Sequence, residues 1–433
     1  MIVVVADDFT GAAEVAGMAA AAGVETQVQR GKFQPTDARV VVLDTDSRSL
    51  SPREAHARLL EVGRGLKSAG VVQVVKKIDS VLRGSIAAEI RGLMTGLGRI
   101  RALMTPANPE RGRMVRDGRI EVGQILLEQT LFADDPEYPA ATSHVLELLR
   151  RIPYRRSDPL LAPSDPAALV AEQHFVIETL QQLAVHCGST QDRLPDLGLV
   201  VGNAESTDDL SAWCDRLDDG TLPVGAAEFC WQWLRRRLTL SSDFRPLSAD
   251  STVADTSASN ERDAVRTAFS RDASVAGSVL LICGSPTAWK AGRGLQCETL
   301  GVPVFALSPL LAGGDPWLWV LEHERCRELR QRSPKVLLTC ASEQDVYGDV
   351  DGVLVKMLAR FAASVIGGES PPRWVLVEGG ATAAALVQSL NLPQFRAMAP
   401  WAPGVVPLEP IPTTGWTLVS KPGSYEWPDW VCR

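Results

Sequence analysis

The chain has 433 residues, too many for one comfortable core, so two or three domains are expected. Its composition, 45% hydrophobic and 22% charged, is that of an ordinary soluble globular protein, and a net charge of −8 argues against non-specific nucleic-acid binding, which needs a basic surface. With five histidines in no H-E-x-x-H array and eight cysteines in no C-x-x-C pair, neither zinc nor redox motifs are supported.

The amino terminus opens on a strand and two aspartates rather than a basic signal-peptide region, and no run reaches the ~20 apolar residues of a membrane helix. A cytoplasmic protein with reduced, buried thiols is expected.

In chain order, the valine-rich run 2–6 breaks off into Asp7-Asp8-Phe9-Thr10-Gly11. The run 40–43 ends in Asp44-Thr45-Asp46-Ser47-Arg48, and 71–75 ends in Lys76-Lys77-Ile78-Asp79-Ser80. Short apolar runs without polar alternation suit strands buried on both faces of a parallel sheet. Between them, 12–22 reads as an Ala-rich helix ending at Gly23. Residues 51–69 read as a second helix, with Ser51 as N-cap, Pro52 in its first position and Gly70 beyond its end. A third helix spans 85–97, a fourth strand 101–105, and a fifth strand 197–201. Strands separated by helical crossovers predict an α/β fold with a doubly wound parallel sheet.

From 241 to 276 Ser, Asp, Thr and Ala dominate, the signature of a linker. It separates an amino-terminal domain, 1–240, from a carboxyl-terminal α/β domain, 277–433. The second domain restarts the pattern, with strands near 279–283, 303–307, 336–340, 374–378 and 416–420. Its tryptophan-rich tail (Trp401, Trp416, Trp427, Trp430) reads as packing.

Ligands of open α/β sheets bind beyond the carboxyl ends of the strands. The first three strands therefore deliver acids, a hydroxyl and cations to one crevice. Strand parity places Lys77 and Asp79 on one face and Lys76 on the other, and groups Asp44 with Asp46. Any one Asp at a strand end also reads as a helix cap or turn former, and Asp8 is placed to cap the helix that follows. Six charged residues at three neighbouring strand ends exceed what capping needs.

In the second domain Glu378-Gly379-Gly380-Ala381-Thr382-Ala383 joins a strand to a helix. Glycines admit a ligand close to the backbone, and a helix amino terminus offers N–H groups to phosphate. Cys283-Gly284-Ser285 and Lys421-Pro422-Gly423 have the same form. Each alone reads equally as a plain turn; three together favour a phosphate cradle. The sequence contains neither G-x-x-x-x-G-K-[ST] nor a post-strand G-x-G-x-x-G.

Together these segments resemble the four-carbon acid sugar kinase family. The resemblance rests on Ala6-Asp7-Asp8-Phe9-Thr10-Gly11-Ala12, Asp44-Thr45-Asp46-Ser47-Arg48 and Lys76-Lys77-Ile78-Asp79-Ser80-Val81-Leu82-Arg83-Gly84. Pro106-Ala107-Asn108-Pro109 with Gly112-Arg113, Gly284-Ser285, Gly379-Gly380-Ala381-Thr382-Ala383 and Lys421-Pro422-Gly423 complete it. It implies an amino-terminal domain that binds threonate, erythronate or a 3-oxo-tetronate, and a carboxyl-terminal domain that binds ATP with Mg²⁺. Asp8 is then the expected base or hydroxyl-orienting group, with Asp79 as the alternative. Lys77 and Arg83 would hold the substrate carboxylate, and Asp7 and Arg48 would orient substrate or these cations. Gly284, Ser285, Gly379, Gly380, Ala381, Thr382 and Gly423 would cradle the nucleotide. Ala381 stands where the family commonly has an acid, which motivates a second reading, a non-catalytic sugar-acid and nucleotide sensor. As an assembly, a homodimer is the commonest form to expect.

Overall fold

The computed structural model describes residues 1–135, 138–151, 173–176, 186–189, 196–240, 278–284, 293–340, 352–423 and 425–432. The expected linker at 241–276 and Ser285 lie outside the described residues. The chain divides into two compact units, Met1–Val15 with Val28–Arg245, and Ala16–Gln27 with Pro246–Arg433.

The first unit opens with β1 (Ile2–Ala6), α1 (Phe9–Ala21), β2 (Thr26–Arg30) and β3 (Val40–Asp44), except that α1 from Ala16 onward and β2 up to Gln27 count with the second unit. α2 (Pro52–Ser68), β4 (Gln73–Lys77), α3 (Ile86–Leu97) and β5 (Arg101–Thr105) follow. Every residue of β1 and β3 is buried. Removing one Val or Leu side chain from water contributes roughly 1.5–3 kcal/mol, so such runs have a strong drive to occupy the sheet centre. Helix α2 starts as expected: the Ser51 hydroxyl accepts the Glu54 N–H, and the Glu54 carboxylate accepts the Ser51 N–H, a capping box followed by Pro52.

A three-stranded antiparallel insert comes next, β6 (Arg113–Arg116), β7 (Arg119–Val122) and β8 (Ile125–Leu126). Helix α4 (Val145–Arg150), β9 (His186–Gly188), β10 (Gly198–Gly202), α5 (Thr207–Asp215), β11 (Thr221–Gly225) and α6 (Ala227–Arg237) complete the unit. Its strands lie in the order β2-β3-β1-β4-β11-β5-β10-β9. β1 runs parallel to both β3 and β4. From β1 the chain goes first to β3 and β2 on one side, then crosses to β4 and β5 on the other. The order reverses between β1 and β4, and that switch point is where such sheets open a crevice.

The second unit contains β12 (Val279–Cys283), α7 (Arg293–Thr299), β13 (Val304–Ala306), α8 (Pro316–Arg332) and β14 (Lys335–Thr339). It continues with α9 (Val353–Ile366), β15 (Trp374–Glu378), α10 (Gly380–Ser389), β16 (Gln394–Ala397), β17 (Val406–Pro410) and β18 (Thr417–Lys421). The order β13-β14-β12-β15-β18-β17-β16 places its switch point between β12 and β15. Both units thus share one local arrangement, in which the first strand lies between the third and the fourth. Trp374, Trp401 and Trp427 belong to one buried cluster, with Trp401 rings 5.2 Å from Trp374 and 4.9 Å from Trp430. The tryptophans named here therefore pack, as expected. Cys214, Cys230, Cys283, Cys297, Cys326 and Cys340 are buried, whereas Cys187 is exposed.

Candidate active site

Ala6 pairs with Asp44 on one side and with Lys77 on the other, so β1, β3 and β4 end level and the residues beyond them converge. Arg48 is the hub. Its Nε donates to Asp7 Oδ2 at 2.7 Å, and its Nη2 lies 2.8 Å from Asp8 Oδ1 and 3.9 Å from Asp79 Oδ1. The loop that carries it is pinned by backbone, since Ser47 and Arg48 N–H both donate to the Asp7 carbonyl. Lys77 Nζ sits 3.6 Å from Asp8 Oδ1 and 3.9 Å from Asp7 Oδ1. Asp7 is fully buried, and its Oδ1 accepts no hydrogen bond from the described residues.

Asp8 is both a helix cap and a member of the charged cluster. It caps α1, accepting the Gly11 N–H at 3.0 Å and the Thr10 hydroxyl at 2.6 Å, and it also pairs with Arg48. Burial works against its charge, but Arg48 and Lys77, helped by the Thr10 hydroxyl, outweigh burial and hold the carboxyl at about 2. Asp79 is gripped by the Arg83 fork, with Nε at 3.0 Å and Nη2 at 2.9 Å, and accepts backbone N–H groups of Val81 and Arg83. Burial again opposes the charge, and Arg83 and then Arg48 hold Asp79 well below the usual carboxylate range. For Lys77 burial is overcome by Asp8 and Asp7, and its ammonium is held above the usual range. At neutral pH Asp8 and Asp79 are therefore carboxylates and Lys77 an ammonium.

Lys76 points the other way, as parity requires. Its Nζ lies 2.9 Å from Glu89 Oε2 on α3, with both side chains fully buried, and donates to the Lys77 carbonyl at 2.9 Å. Glu89 also accepts the Ser47 hydroxyl at 2.6 Å. This network ties the Arg48 loop, the end of β4 and α3 together beneath the charged cluster. Asp44 and Asp46 share a partner, Arg30, at 3.2 and 2.7 Å. Burial and then the Asp46 charge push Asp44 up to about 7, Arg30 offsetting only part.

Several neighbours of the cluster lie outside the three strand ends. The Arg113 guanidinium donates to the Ser80 hydroxyl and lies 5.3 Å from the Phe132 ring centre. Asp135 meets Arg83 at 3.4 Å, and the Tyr138 hydroxyl donates to the Arg48 carbonyl at 3.0 Å. They reach the cluster from the insert and the segment after it, a tertiary approach that no local pattern signals.

In the second unit β12, β15 and β18 also end level, with Cys283 opposite Glu378 and Glu378 opposite Lys421. Gly284, Gly379 and Gly423 follow these ends, so the expected turns come together on one edge of the sheet. Gly379 has φ of 102°, which excludes most side chains, and its N–H donates to the Lys421 carbonyl at 2.9 Å. A β-carbon on Gly284 would lie 2.5 Å from Thr382 Oγ1. Gly380, Ala381 and Thr382 open α10; Ala381 is exposed and Thr382 buried. Beneath them Glu378 is held by Arg293 at 3.0 and 3.1 Å and by Lys421 at 2.5 Å. The Lys421 ammonium also donates to the carbonyls of Pro422, at 3.0 Å, and Tyr425.

At the switch point of the first unit's sheet, then, Asp7, Asp8 and Asp79 gather with Arg48, Lys77 and Arg83 in one ion-paired cluster. The sequence profile of a sugar-binding N-terminal domain matches residues 2–230, more than half of the chain. The chain belongs to the four-carbon acid sugar kinase family, whose amino-terminal domain that profile describes. It is 28% identical over 421 residues to a 3-oxo-tetronate kinase of Methylobacterium radiotolerans, an alignment covering 93% of this chain and 90% of the relative. It is 36% identical over 154 residues to a D-threonate kinase of Bordetella bronchiseptica, covering 34% of this chain and 38% of the relative. Among solved structures, a Salmonella typhimurium protein described as a tRNA synthase superposes with a TM-score of 0.68, covering 99% of this chain and 97% of the other. At 21% identity it shares the fold alone.

Proposed function

We propose that this protein is an ATP-dependent kinase that phosphorylates the terminal hydroxyl of a four-carbon sugar acid: threonate, erythronate or a 3-oxo-tetronate. The observation that carries the reading is the cluster of Asp7, Asp8, Arg48, Lys77, Asp79 and Arg83 at the first unit's switch point. Phosphoryl transfer asks for alignment and charge stabilisation more than for a strong base. Asp8, a carboxylate at neutral pH, suits a group that accepts the substrate hydroxyl's hydrogen bond. It takes the proton as the oxygen–phosphorus bond forms and the bond to the ADP leaving group breaks. Asp79 suits that role less, because both its oxygens are committed to Arg83. The glycine turns and the first N–H groups of α10 suit the nucleotide phosphates.

Among the described residues no group of three or more acidic, His or Cys side chains converges on a metal position. Glu378, the acid beside the glycine turns, has both oxygens taken by Arg293 and Lys421. Mg²⁺ therefore enters this reading only as the nucleotide's counter-ion, and no step is derived through it. No observation favours the non-catalytic sensor. No helix among the described residues is long and apolar enough to cross a membrane.

The test is ADP release from Mg-ATP with D-threonate, D-erythronate, L-threonate and the 3-oxo-tetronates. Acid-dependent release with one of them supports the reading and names the substrate; ATP turnover indifferent to all of them sinks it.

A further inference from the structure

The cations of the first unit's crevice differ in whether a carboxylate already answers them. Arg48 is shared by Asp7 and Asp8, Lys77 lies against the same pair, and Arg83 is bound by Asp79 and Asp135. Arg113 is the exception. Among the described residues its side chain meets the Ser80 hydroxyl and the Phe132 ring, and no carboxylate there lies within ion-pairing distance. Ser80 directly follows Asp79, and Phe132 shares a short 3-10 turn (Leu131–Asp134) with the approach to Asp135, the partner of Arg83. Arg113 therefore sits beside the charged cluster without being neutralised by it.

Its backbone is fixed as well. Asn108 and Arg113 exchange backbone hydrogen bonds at 2.8 and 3.1 Å across the turn Pro109–Arg111, which closes on Gly112 at φ of 63°. The Gly112 carbonyl accepts the Gly123 N–H at 2.7 Å, and Val115 bridges to Ala204. A guanidinium delivered from a locked turn and braced by a hydroxyl and an aromatic face has lost much of its freedom before any ligand arrives. A planar fork suits a carboxylate in bidentate geometry.

We infer that Arg113, supported by Ser80 and Phe132, is the residue that recognises the carboxylate of the sugar acid, in place of Lys77 and Arg83. Those two cations are occupied within the crevice, where their task is to keep Asp8 and Asp79 ionised and in position. This inference rests on the sugar-acid reading of the site, so its test separates binding of the acid from turnover.

Binding of each tetronic acid, and of the uncharged tetritol of matching stereochemistry, is measured by calorimetry and melting shift on wild type, Arg113→Met and Arg113→Lys. ADP release is followed in parallel. The expected result is acid binding weakened about 30-fold or more in Arg113→Met, the loss typical of truncating one side of a desolvated charge pair. The tetritol should change little, and Arg113→Lys should recover part of the affinity. The ATP-induced melting shift, unchanged in both variants, shows that they are folded. Acid affinity within threefold of wild type in Arg113→Met, or equal losses for acid and tetritol, overturns the assignment. Acid binding that depends on Arg113 without ADP release upholds this inference and rejects the kinase. ADP release that survives Arg113→Met with an unchanged KM for the acid rejects the inference and keeps the kinase.

Discussion

Gly11 and Lys77 compete for the same space. A β-carbon on Gly11, in the first turn of α1, would fall 2.5 Å from Asp8 Oδ1 and closer still to Lys77 Nζ. The glycine in Asp-Asp-Phe-Thr-Gly is therefore what lets a buried ammonium lie against two carboxylates. Gly11→Ala should displace Lys77 while leaving α1 intact, since Ala favours a helix over Gly by about 1 kcal/mol. Steady-state kinetics should show turnover reduced on the order of 100-fold, the usual consequence of a misplacement near 1 Å. A near-normal rate would show that Lys77 need not sit there.

The Lys76–Glu89 pair places two full charges in the interior, 2.9 Å apart. Removing one partner leaves the other stranded, so Lys76→Met should cost about 3–5 kcal/mol in urea unfolding. The double variant Lys76→Met with Glu89→Leu should be more stable than Lys76→Met alone. If the double variant loses more than the single one, Glu89 matters chiefly through its bond to Ser47.

Asp44 carries the opposite pH signature from Asp8. Its folded pKa, about 7, lies above its ordinary value of 3.8, so the folded state binds the extra proton between those limits. The stability this confers is complete below about pH 4 and drains away as pH rises through 7. Melting temperatures of wild type and Asp44→Asn, compared at pH 5 and pH 8, should show the wild type losing ground at the higher pH. A constant difference would place the Asp44 pKa outside that window. Asp8, held at about 2, contributes above its ordinary value and loses that contribution only as pH falls through 2.

Asp8→Asn should lower kcat by about 10²–10⁴ with little change in the KM for ATP. Asp79→Asn should lower kcat far less, because both Asp79 oxygens serve Arg83 and neither is left for the substrate hydroxyl. Equal kcat losses in the two variants would remove the distinction drawn between them.

A side chain at position 284 would push against Thr382. Gly284→Ala should therefore weaken the ATP-induced melting shift and leave the shift caused by the acid unchanged. A normal ATP shift would separate Gly284 from nucleotide binding.

The strands that carry the charged cluster were legible because a strand covered on both faces has no reason to alternate: β1 reads Ile-Val-Val-Val-Ala and is buried throughout. β11 is just as central, lying between β4 and β5, yet reads Thr-Leu-Pro-Val-Gly, with a proline and a glycine where neither favours a ladder. β2 (Thr-Gln-Val-Gln-Arg) is too polar to stand out, and β16 and β17 carry Arg396 and Glu409 on partly solvated antiparallel strands. Helix α6 is hidden for another reason: Phe229, Trp231, Trp233 and Leu234 are buried on more than one side, so it lacks a single apolar stripe. Which charges would gather could be read from strand parity. Which carboxylate would answer which cation could not, because Arg83 meets Asp135, and Arg113 meets Phe132, across distant stretches of chain.

The turn after β18 wraps carbonyl oxygens of Pro422 and Tyr425, together with the Glu378 carboxylate, around one ammonium. The cation that holds these oxygens is tethered to the chain as Lys421, so it cannot be washed out or exchanged.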